Sequence, residues 1–66
     1  MYYIEVEIDG ELKKITDPLG NVETFNNQDD TWTRLYEVFS SEMVYVDGVL
    51  THIKKIKGLS VQNVES

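Results

Sequence analysis

The chain contains no cysteine. No disulfide can brace it, and no thiolate site can hold zinc. Proline occurs once, as Pro18, and histidine once, as His52. The longest apolar run is Met43-Val44-Tyr45-Val46, too short to span a bilayer. The opening residues lack the basic-then-apolar order of a secretory leader, so the reading is a cytoplasmic protein. Positive charge is scarce too: 6 basic residues face 12 acidic ones, for a net charge of −6. A surface of that sign repels phosphate backbones and argues against direct nucleic-acid binding.

Hydrophobic residues make up 41% and charged residues 27% of the 66, an ordinary globular composition. So short a chain forms one domain and buries only about 60% of its unfolded surface. The charge is uneven. Positions 1–47 carry eleven acids against Lys13, Lys14 and Arg34, whereas positions 48–66 carry Lys54, Lys55 and Lys57 against Glu65.

Ile4, Val6 and Ile8 alternate with Tyr3, Glu5 and Glu7, the period of a half-buried strand. Asp9-Gly10 then suits a two-residue hairpin turn, which needs positive φ at both positions. That turn places Ile4 opposite Ile15 and Glu5 opposite Lys14. A three-residue loop, pairing Val6 with Leu12, remains the alternative. Asp47-Gly48 marks a second hairpin by the same rule, with a return strand over 49–57.

Between the hairpins, residues 17–21 are turn-forming, and 22–25 suits an extra short strand. Asp29 or Asp30 is positioned to cap a helix over 31–41. Trp32, Leu35, Tyr36 and Phe39 recur at helical spacing and predict its core-facing stripe. The expected fold is α+β: β-β-α-β-β, with the helix packed on one face of a small antiparallel sheet. The domain is drawn at 1–58, and 59–66 reads as a frayed tail.

Candidate sites are sparse. His52 has no nucleophile motif nearby in sequence and reads as a surface or cross-strand residue. Residues 26–30 are rich in oxygen ligands but lack the glycine bend and terminal glutamate of a calcium loop. Glu5 and Glu7 share a strand face, but general acid–base work needs a pocket that splits their pKa values. Lys54, Lys55 and Lys57 read as guards of an outer strand. No catalytic residue, metal or cofactor is assigned.

Function is therefore read from charge and shape. The expectation is a non-enzymatic, acidic protein-binding module. Tyr3, Glu5, Glu7, Asp9, Glu11, Asp29 and Asp30 would meet a partner protein with a basic surface. Small acidic inhibitors of nucleic-acid-binding proteins, as phages encode, act this way as a class. The alternative is a self-associating structural protein, a homo-dimer that relieves the small core.

Overall fold

The computed structural model describes residues 1–64. One helix and five strands follow in the order β1 (Tyr2–Ile8), β2 (Glu11–Lys14), α1 (Gln28–Phe39), β3 (Met43–Val46), β4 (Val49–His52) and β5 (Gly58–Asn63). The fold is α+β with two antiparallel sheets, β2-β1-β5 and β3-β4. The helix packs against β1 and β5.

Both hairpins turn on two residues. Asp9 and Gly10 have φ of 53° and 80°, and Asp47 and Gly48 have 51° and 78°. Glu5 stands opposite Lys14, and Ile8 opposite Glu11, so the tight-turn register holds. The hairpins then join end to end. Ile15 donates to the Ile4 carbonyl at 3.1 Å, Thr16 donates to Tyr45 at 3.0 Å, and Asp47 donates to Lys14 at 3.1 Å. Residues 22–25 form isolated bridges, Val22 with Thr16 and Phe25 with Tyr2, instead of a strand.

The chain end departs from expectation. Residues 59–63, read as the start of a tail, belong with Gly58 to β5, which pairs with β1 from Glu7–Gly58 to Tyr2–Asn63. Leu59 stands opposite Val6 and Val61 opposite Ile4, so the strand completes the apolar face. Residues 65–66 lie outside the described residues. The second return strand is shorter than predicted. It stops at His52, whose Nδ1 accepts from the Lys54 amide at 3.2 Å and starts a 3-10 turn over Ile53–Lys55. Lys54 and Lys55 therefore sit on a turn instead of a strand, and Lys57 stands just before β5, its amide donating to the Glu7 carbonyl at 2.8 Å.

The helix also starts earlier. Its cap is Asn27, not an aspartate: Asn27 Oδ1 accepts from the Asp30 amide at 2.8 Å. Asp29 and Asp30 occupy the first turn, where their charge complements the helix dipole. The buried stripe is Thr31, Leu35 and Val38, with Thr31 and Val38 fully enclosed. Thr31 is admitted because its hydroxyl donates to the Asn27 carbonyl at 2.8 Å, leaving its methyl for the core. Trp32, Tyr36 and Phe39, expected inside, are 43%, 65% and 71% exposed. The core is aliphatic: Ile4, Val6, Ile15, Leu35, Val38, Val44 and Val46.

The loop over 17–21 is held by one carboxylate. Asp17 accepts from the amides of Leu19 and Asn21 at 2.9 Å each, and from Asn21 Nδ2 at 3.1 Å. The Asn21 backbone bond is the main reason its pKa falls below the ordinary 3.8. A depressed pKa stabilises the fold above that ordinary value, and the contribution is lost as pH falls through the lower, folded-state value. Thermal melts on the acid side of 3.8 should therefore decline more steeply for the parent than for Asp17→Asn. Parallel acid limbs would show that this carboxylate does not matter to the fold.

Candidate functional site

The acids named from sequence do not converge. Tyr3, Glu5 and Glu7 alternate out of the core face of β1 and stand on the opposite side of the sheet from the helix. Asp9 sits in the turn at the end of that strand, exposed. Glu11 pairs with Ile8, which puts its side chain on the helix side of the sheet, 3.9 Å from Lys13 Nζ. Asp29 and Asp30 follow Phe25, which is bridged to Tyr2 at the beginning of β1. They therefore lie toward the opposite end of the strand from Asp9.

The outer face of β2-β1-β5 carries Tyr3, Glu5 and Glu7 on β1, flanked by Leu12 and Lys14 on β2 and by Ser60 and Gln62 on β5. Among the described residues, no second layer covers it. Lys14 Nζ lies 4.9 Å from the centre of the Tyr3 ring, on the residue opposite Glu5 in the ladder. Glu7 has Leu12 on one side and Gly58 on the other. With no side chain at Gly58, a shallow depression of about 160 Å³ opens beside Glu5, Glu7, Leu12 and Ser60. Leu12 is 67% exposed at its margin. This is a flat, mixed surface with a negative bias, suited to contact rather than to enclosure of a substrate.

A second feature was missed from sequence. On the helix side, a groove of about 390 Å³ runs between Tyr36 and Phe39 of α1, Ile53 of the 3-10 turn and Ile56 just after it, and Leu59 of β5. It is apolar apart from Lys57 and the Tyr36 hydroxyl. The signal for it is the stripe of Trp32, Tyr36 and Phe39 lying one residue from that of Thr31, Leu35 and Val38 on a single helix, of which a small sheet can cover only one.

Elsewhere the polar groups are spent on structure. Arg34 grips Glu23 through Nε at 3.0 Å and Nη2 at 3.5 Å. His52 and Asn27 are caps. Among the described residues, no cluster of three or more His, Cys, Asp or Glu is arranged to hold a metal, and no helix is long and apolar enough to cross a membrane. Compared with known proteins, the chain matches no family model, no curated protein and no solved structure.

Proposed function

We propose that this chain is a non-enzymatic protein-binding module that presents the outer face of its three-stranded sheet to a basic partner surface. The observation that carries the reading is that face itself: Tyr3, Glu5 and Glu7 side by side, with Leu12 exposed next to them and no layer above. A tyrosine and a leucine supply contact area, and the carboxylates supply charge steering toward a cation-rich surface. On this reading the contact residues are Tyr3, Glu5, Glu7 and Asp9 of the sequence expectation, joined by Leu12. Glu11, Asp29 and Asp30 lie elsewhere and take no part in it. A basic surface of this kind is what nucleic-acid-binding proteins carry, so the module would act as their inhibitor.

The test is affinity capture from a lysate of the source cell at low and high salt. Bait carrying Glu5→Lys and Glu7→Lys should lose the bound protein, as should the parent bait in high salt. Bait carrying Asp29→Asn and Asp30→Asn should retain it. If the charge reversal captures the same protein as strongly, the outer face is not the docking surface.

A further inference from the structure

β5 is an edge strand: β1 pairs with one side of it and, among the described residues, nothing pairs with the other. The Val64 amide donates to Met1 at 2.8 Å, which fixes the alternation. Ser60 and Gln62 turn their backbone groups toward β1, while Leu59, Val61 and Asn63 turn theirs outward. An edge six residues long is normally guarded by charge, proline or a bulge. Gly58–Asn63 has no charge and no proline, and the one irregularity falls at its start, where the Lys57 amide donates to the Glu7 carbonyl at 2.8 Å although Glu7 is paired with Gly58.

The aromatic flank of the helix lies on this same side. Arg34 reaches back to Glu23, and the Glu23 amide bonds the Ile15 carbonyl, so that flank lies beyond β2. Tyr36 is two residues on, about 200° round the helix. It lines the groove with Gly58 and Leu59, as Phe39 does. Trp32 stacks toward Tyr36, with ring centres 6.2 Å apart. An open strand edge and an uncovered aromatic ridge thus border one another.

We infer that a second copy of this chain covers both, through antiparallel pairing of β5 with β5 about a twofold axis normal to the sheet. The outward groups of Leu59, Val61 and Asn63 are self-complementary under that rotation. The axis keeps both helices on one side of a six-stranded sheet, so the two Tyr36–Phe39 flanks meet above the seam. Each copy is acidic overall, which opposes self-association, but the seam contains no carboxylate within 58–63. Gly58–Asn63 itself offers no charge for a basic or acidic foreign peptide to pair with. The outer faces of the two copies then run together, doubling Glu5 and Glu7 on one surface.

Sedimentation equilibrium of the parent chain should show a species of twice 7.6 kDa that dissociates on dilution. Ser60→Lys with Gln62→Lys places like charges across the seam, on side chains that point away from the core. It should weaken the dimer by about tenfold or more. Should that pair disturb folding, seen in far-UV circular dichroism, Tyr36→Lys with Phe39→Lys tests the seam from the exposed helix flank and should do the same. A parent chain that stays monomeric up to about 1 mM overturns the inference, as do folded lysine variants that dimerise unchanged. Glu5→Lys with Glu7→Lys should leave the dimer intact, which separates this outcome from loss of the partner.

Discussion

Ile15→Ala should leave most of the chain unfolded at room temperature. Ile15 is fully buried at the joint between the two hairpins. Its amide bonds Ile4, its carbonyl accepts from Glu23, and it bridges Val46. The side chain therefore fills the seam where both sheets meet, among residues that the rest of the backbone holds in place. Removing a buried isoleucine to alanine costs about 2–5 kcal/mol, most where the surroundings cannot collapse. A chain this short rarely holds more than about 3–5 kcal/mol in total. Phe39→Ala, in contrast, removes a larger side chain that is 71% exposed. In the dilute monomer it should shift stability by no more than about 0.5 kcal/mol. Urea titrations followed at 222 nm would rank the two, and equal midpoints would mean that the buried cluster is misidentified.

That ranking inverts what residue size suggests, and the reason is physical. Trp32, Tyr36 and Phe39 keep helical spacing, as do Thr31, Leu35 and Val38 one position earlier. Periodicity alone cannot say which of two adjacent stripes a sheet selects. Thr31 is the deciding residue: it looks polar, yet its hydroxyl is satisfied within the helix, so it can enter the core. The hairpins were legible because Asp-Gly specifies both the turn and the register. β5 was not, because Leu59, Val61 and their polar neighbours become a strand only through β1, a pairing nearly 60 residues distant in sequence. The acidic face was legible in part. Alternation along β1 placed Tyr3, Glu5 and Glu7 together. Composition could not reveal that Glu11 faces the other way or that the two helix aspartates lie toward the far end.

The two Asp-Gly turns look interchangeable in sequence, yet alanine should affect them unequally. Gly10 and Gly48 both sit at positive φ, near 80°. A side chain in that region costs about 1–2 kcal/mol by backbone sterics alone. At Gly10 an added methyl meets nothing within 4 Å, so Gly10→Ala should cost only that strain. At Gly48 the methyl would stand 3.2 Å from Gly20 Cα and 3.3 Å from Gly20 N, both backbone atoms. The loop carrying Gly20 cannot simply retreat, because Asp17 fastens it through Leu19 and Asn21. Gly48 itself is anchored by donating to Thr16 Oγ1 at 2.7 Å. Overpacking against fixed backbone adds about 1–3 kcal/mol, so Gly48→Ala should be clearly the more damaging, approaching global unfolding in a chain of this size. Urea midpoints for the two variants make the comparison direct. Equal losses would mean that the second turn and the 17–21 loop do not press on each other, and that the hairpins are joined through Ile15 and Thr16 alone.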